Sequence, residues 1–143
     1  MSEASETALL DSVPDGLFVR GKWRAARSGA TLDVADPATG QVIKAIADAG
    51  IEDGADAMDA AVDAAPEWAR TPPRERAEIL RRTFDLVQQH KDDVALLMTL
   101  EMGKPLAESQ AEVAYGGEFL RWFSEEAVRI VGRYGTNPEG TGR

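Results

Sequence analysis

The sequence predicts an α/β chain in which short antiparallel strands are followed by four helices, and three observations carry that expectation. Residues 17–47 hold brief extended runs separated by turn residues. After residue 50 the apolar spacing changes to steps of three and four. Pro and Gly then fall mostly at the joints between the helical stretches.

Residues 1–16 read as a flexible acidic arm that ends at Pro14-Asp15-Gly16. Leu17-Phe18-Val19 is the first extended segment, and Arg20-Gly21-Lys22 reads as a tight turn before Trp23. Thr31–Val34 and Val42–Ala47 are strands flanking the turn Asp36-Pro37-Ala38-Thr39-Gly40. Such short connections favour antiparallel neighbours.

In the first helix Ala55, Met58, Val62 and Ala65 share a stripe expected to face inward, with Asp53, Asp56, Asp59 and Asp63 on other faces. Acids near its start suit the positive end of the helix dipole, and Pro66 marks a kink or an end. Thr71-Pro72-Pro73 restarts the chain, Thr71 as cap and Pro72 in the first turn. Ala77, Leu80, Phe84 and Val87 line a second helix that ends near His90. A third begins near Asp92 with Val94, Leu97 and Met98 inward. Gly103-Lys104-Pro105 closes it and opens a long fourth helix reaching about Ile130. Gly116-Gly117 in its middle costs about 1 kcal/mol per Gly relative to Ala, which a close-packing neighbour would explain. Residues 135–143 are loop chemistry.

Composition excludes several function classes. A net charge of −9 repels phosphate backbones and argues against nucleic-acid binding. Arg74, Arg76, Arg81 and Arg82 interleave with Glu75, Glu78 and Asp85, as on a solvated helix face. With no cysteine there is neither a disulfide nor a thiol nucleophile, and the lone His90 cannot build a multi-histidine metal site. Residues 1–12 have no basic cluster or apolar core of a targeting signal. No apolar run approaches the ~20 residues that span a bilayer. A cytoplasmic protein without membrane contact is the expectation.

Chemistry-bearing motifs are sparse. There is no Gly-x-Gly-x-x-Gly, phosphate loop, Ser-His-Asp set or metal-ligand spacing. Glu101, beside a helix end, reads from spacing as a surface acid, with cation ligation as the alternative. Phe119, Trp122 and Phe123 form an aromatic cluster that is either core or the wall of a substrate pocket. Positions 115, 119 and 122 share one edge of the helix face and 123, 127 and 130 the other. On that basis Phe119 and Trp122 are assigned to a pocket wall, and Phe123, Ala127 and Ile130 to the core. Arg121 points away from the first edge.

Several blocks, taken in order, resemble the aldehyde dehydrogenase superfamily. Leu17–Trp23 resembles its opening strand, turn and Trp. Asp36-Pro37-Ala38-Thr39-Gly40-Gln41-Val42 resembles the family's Asn-Pro-Ala-Thr-Gly-Glu-Val block, with Asp36 replacing Asn. Trp68 followed by Thr71–Ala77 resembles the join of two family helices, and Leu100–Pro105 resembles Leu-Glu-x-Gly-Lys-Pro. Phe119-Leu120-Arg121-Trp122-Phe123-Ser124-Glu125-Glu126 is similar to the succinate-semialdehyde branch.

The resemblance implies that residues 17–134 are the N-terminal part of a split cofactor-binding domain, with residues 135–143 leading to bridging strands. It implies an oxidoreductase parent that converts succinate semialdehyde to succinate through a cysteine thioester, with NAD or NADP as acceptor. A homo-oligomer acting on a small aldehyde is implied as well. The family's catalytic and cofactor-binding residues have no counterpart in this chain, so none is assigned, and the chain alone is expected to be inactive. A monovalent cation held by Glu101 and the backbone of Val34 also follows from the resemblance. Two rival readings stand: a dehydrogenase of another aldehyde, and a free-standing helical interaction module.

Overall fold

A computed structural model describes residues 3–132 and residue 138. The expected loop 135–143 therefore lies outside the described residues apart from Pro138, which sits in a turn. Among the described residues nine elements follow in chain order: α1 Glu3–Ser12, β1 Leu17–Val19, β2 Lys22–Arg24, β3 Thr31–Ala35, β4 Val42–Ala47, α2 Ile51–Arg70, α3 Pro73–Gln89, α4 Lys91–Met102 and α5 Leu106–Glu126. The strands-then-four-helices order matches the expectation. The acidic start carries a helix, α1, and Lys44 Nζ on β4 donates to Leu10 O at 2.5 Å.

The strands form two separate antiparallel hairpins, β1–β2 and β3–β4. In the first, Arg20 and Gly21 both take positive φ (53° and 74°). That pair of angles suits a two-residue hairpin turn whose twist matches the strands. Phe18 and Trp23 face each other across it, ring centroids 5.0 Å apart. In the second, Asp36 closes the turn: its carboxylate accepts from Ala38 N at 2.8 Å and Thr39 Oγ1 at 2.9 Å. The ladder shifts register between Val34 and Ala35.

The helices α3, α4 and α5 pack together around small residues. Ala77, Ala95, Leu96 and Val113 are buried, and Ser109, fully buried, meets the Thr99 hydroxyl at 2.9 Å. Gly117 lets α3 approach α5: a Cβ there would lie 3.2 Å from Gln88 Nε2 and 3.8 Å from Phe84 and Val87. The expected close neighbour thus exists for Gly117. Gly116 faces open space.

Several expectations on the helices are corrected. The α2 stripe is not inward: Met58 is 66% and Val62 62% exposed, with Ala55 and Ala65 exposed beside them. What α2 presents to the hairpins is its acidic first turn. Pro66 does not end α2, which continues to Arg70 although a proline removes one helix hydrogen bond. Thr71 closes α2 instead of capping α3, its N–H donating to Trp68 O at 3.1 Å, while Pro72 is the cap and Pro73 opens the helix. On α4 the buried residues are Ala95 and Leu96, with Val94 exposed. The fourth predicted helix, α5, ends at Glu126, short of Ile130.

Candidate functional site

The aromatic edge of α5 is open. Phe119 is 49% and Trp122 64% exposed, and Tyr115 packs edge-on against Phe119 with centroids 5.0 Å apart. Together with Glu118 and Phe123 they line a shallow cavity of about 330 Å³. The two rings meet edge to face, and the edge is an open apolar shelf. Arg121 pairs with Glu118 at 2.6 Å and lies 6.0 Å from the Phe84 ring centre. The lining of this cavity is mostly aromatic.

Phe123 is corrected from core to exposed, and Ile130 likewise, at 80% exposure. Both border a larger groove of about 760 Å³ between the end of α2, α3 and the last turns of α5. Within that groove both remain mostly exposed. The two edges assigned from the helix period are not cleanly separate, since Trp122 and Phe123 each line both cavities.

The loop that follows Glu101 meets the turn that follows Val34. Gly103 takes a left-handed φ of +72° at the end of α4, and a Cβ there would come within 2.8 Å of Pro37 Cγ. The Gly-Lys-Pro block therefore sits directly on the turn that follows β3. Glu101 is exposed, two residues before that contact. Among the described residues no cluster of three or more His, Cys, Asp or Glu side chains could hold a metal. Lys104 is paired with Glu112.

A polar hub that the sequence did not reveal ties the hairpins to α2. Asp53 is only 3% exposed. Its carboxylate accepts from Arg24 Nη1 at 2.6 Å, Gly50 N at 3.0 Å and Arg27 N at 3.2 Å. Asp56 accepts from Arg27 Nε at 2.7 Å and Arg24 Nη2 at 3.2 Å. Hydrogen bonding from Arg24, then from Gly50, holds the Asp53 carboxyl below the ordinary range against the opposing effect of burial. The bond from Arg27 does the same for Asp56. A signal was available: an acid three residues after Gly50, where it reaches back to the first N–H groups of the helix.

Comparison with known proteins fixes the family. Residues 23–142 match the model of the aldehyde dehydrogenase family. The chain belongs to that family. A succinate-semialdehyde dehydrogenase of Paenarthrobacter nicotinovorans is 64% identical over 99 residues, 69% of this chain and 22% of that protein. A glutarate-semialdehyde dehydrogenase of Pseudomonas aeruginosa is 47% identical over 115 residues, 80% of this chain and 24% of that protein. A betaine aldehyde dehydrogenase of Staphylococcus aureus, solved in complex with NAD+, superposes with a TM-score of 0.91 at 26% identity, over 94% of this chain and 27% of its own. The chain thus spans about a quarter of the length of these relatives. The match to such structures bears out the expected N-terminal part of an aldehyde dehydrogenase fold.

Proposed function

We propose that this chain is the N-terminal part of a dehydrogenase that oxidises succinate semialdehyde to succinate with NAD or NADP as acceptor. The observation that carries the reading is the likeness to the Paenarthrobacter succinate-semialdehyde dehydrogenase, by far the strongest in identity of the relatives described above. The residues 119–126 on α5 add to it. In such a parent Phe119 and Trp122 form an apolar wall for a short aldehyde, and a cationic anchor for its carboxylate comes from elsewhere. The sequence has no cysteine and no Gly-x-Gly-x-x-Gly, so thiol and dinucleotide cradle are likewise supplied by other segments. The likeness to glutarate-semialdehyde dehydrogenases favours one alternative, a substrate one methylene longer. The parent reads as a cytoplasmic homo-oligomer that binds neither nucleic acid nor membrane. No helix among the described residues is long and apolar enough to cross a membrane.

The test uses the complete product of the gene that encodes this chain. Reduction of NAD or NADP should show its highest kcat/KM with succinate semialdehyde. A preference for glutarate semialdehyde selects the alternative. Betaine aldehyde as the best substrate, or no activity with any aldehyde, overturns the reading, and the last outcome favours the free-standing module.

The same reading includes a monovalent cation held by Glu101 and the carbonyl of Val34, beside the register shift in β3–β4. Hard oxygen donors suit such an ion, and a single carboxylate suits a single charge. Replacing choline chloride by potassium or sodium chloride should raise the Tm of the complete protein, and Glu101→Gln should abolish the rise. An equal rise in the variant removes Glu101 from the site.

A further inference from the structure

Three arginines of the first hairpin and the loop after it meet one acidic stripe of α2. Arg20, at the hairpin turn, pairs with Asp63 at 2.9 Å. Arg24, at the end of β2, reaches Asp53 at 2.6 Å and Asp56 at 3.2 Å, and Arg27 reaches Asp56 at 2.7 Å. Positions 53, 56, 60 and 63 follow in steps of three and four, so they share a helix face. The lengths agree as well. The strand from Arg24 back to Arg20 spans about 13 Å, and the helix from Asp53 to Asp63 spans about 15 Å. The hairpin therefore lies along α2 with its turn toward the middle of the helix. Leu17 and Val19 on β1 are half-buried, as is Ala60 on α2 between Asp56 and Asp63.

The two ends of this contact differ in kind. At the base, Asp53 is buried and accepts from Arg24, from Gly50 N and from Arg27 N. At the tip, Arg20 and Asp63 are both more than half exposed. An exposed ion pair is weak and screened by salt, whereas a buried carboxylate with several donors is screened much less. We propose that the hairpin β1–β2 is an ionic flap, hinged at Asp53 and latched on α2 by Arg20 and Asp63, whose tip lifts as ionic strength rises while its base stays shut. A lifted tip uncovers α2 at Ala60 and Asp63. It also leaves the turn as a lone two-stranded hairpin, which is marginally stable in water, so its ladder frays.

Hydrogen exchange, read by mass spectrometry with fragmentation of the peptides, tests this on the complete product of the gene that encodes this chain. The pH is fixed, and choline chloride is the salt so that no small cation enters. Raising it from about 0.05 M to about 1 M shortens the screening length to about 3 Å. Relative to amides of α5, those of residues 18–23 should then exchange about threefold faster, the size expected for the loss of one exposed ion pair. The Arg27 and Gly50 amides, held by Asp53, should change far less. Asp63→Asn should give the faster exchange already at low salt and remove most of the salt response. That change lies on α2 and leaves the turn Arg20-Gly21 untouched, so its effect on the hairpin is transmitted only across the contact. Asp85→Asn, which removes a comparably exposed acid on α3, should behave as the unmodified protein does. Exchange at residues 18–23 that ignores salt, or that Asp63→Asn does not change, overturns the flap. So does an equal gain from Asp85→Asn. Equal acceleration of residues 18–23 and of the Arg27 and Gly50 amides overturns the hinge, because hairpin and helix then separate as one unit.

Discussion

Asp53 joins three segments through one carboxylate: Arg24 at the end of β2, the Arg27 backbone and the first turn of α2. Its carboxyl is held below the ordinary range in the fold, chiefly by the bond from Arg24. The charged form is thus favoured in the folded state. The resulting stability is fully present above the ordinary carboxylate value of about 3.9 and is lost as pH falls through the lower folded value. Asp56, shifted the same way by Arg27, adds to the effect. Asp53→Asn should therefore lower the Tm at pH 7 by several degrees, with the gap to the unmodified protein closing below about pH 4. A gap that stays constant from pH 7 to pH 2.5 would show that the ionised carboxylate contributes nothing. Trp122 makes the opposite kind of residue-scale case. Its side chain is mostly exposed on the α5 shelf, so its removal should spare the fold. In the complete gene product Trp122→Ala should reduce kcat/KM for the semialdehyde about tenfold, as expected from lost wall contacts in an apolar pocket, with Tm nearly unchanged. An unchanged kcat/KM with a lowered Tm would make Trp122 a packing residue.

At the scale of elements, the glycine pair in α5 separates helix propensity from helix packing. Gly116 has open space where a Cβ would stand, so Gly116→Ala should recover about 1 kcal/mol of helix stability. Gly117 is buried against α3, and Gly117→Leu should cost about 1–3 kcal/mol through overpacking. Thermal melts of both variants read the difference, and equal shifts would mean that α3 can move aside. The two hairpins and their turns were legible in the sequence because local residues dictate them: Arg20-Gly21 for one, and Asp36 with Gly40 for the other. The face that α3 buries was legible too, since Ala77, Leu80, Phe84 and Val87 follow its period and α5 is there to receive them. On α2 the same logic failed. The stripe through Met58 and Val62 is real, but period alone cannot say whether another element covers it. The polar face of α2 escaped notice because acids on a helix are ordinarily solvated, and only the fold brings Arg24 and Arg27 to Asp53 and Asp56. For the candidate site, the helix period located the shelf at Tyr115, Phe119 and Trp122, whereas the groove around Arg76 depends on three elements far apart in sequence.

For the molecule as a whole, the apolar surfaces outrun the core. Among the described residues the buried apolar side chains are Ala26, Ala77, Ala95, Leu96 and Val113, mostly small. Trp68, Phe119, Trp122, Phe123 and Ile130 are exposed, as is the α2 stripe. Each large apolar side chain left in water forgoes about 1.5–3 kcal/mol of burial. Net stability is a small difference between large terms, so omissions of that size weaken cooperativity as well as stability. Exposed apolar area of this extent also marks a surface built to be covered. The chain alone should therefore unfold over a broad temperature range and bind a dye that reports apolar surface, such as ANS. It should give no reduction of NAD or NADP with succinate semialdehyde above a buffer blank, because it has no thiol to attack the aldehyde. Adding the C-terminal part of an aldehyde dehydrogenase relative should sharpen the melt and displace the dye, since the surfaces that bind the dye are those the partner covers. A sharp, cooperative melt of a monomer with no dye binding would show that the small core suffices. The chain would then be an autonomous helical module, and its open faces would need a different explanation from the one the fold now offers.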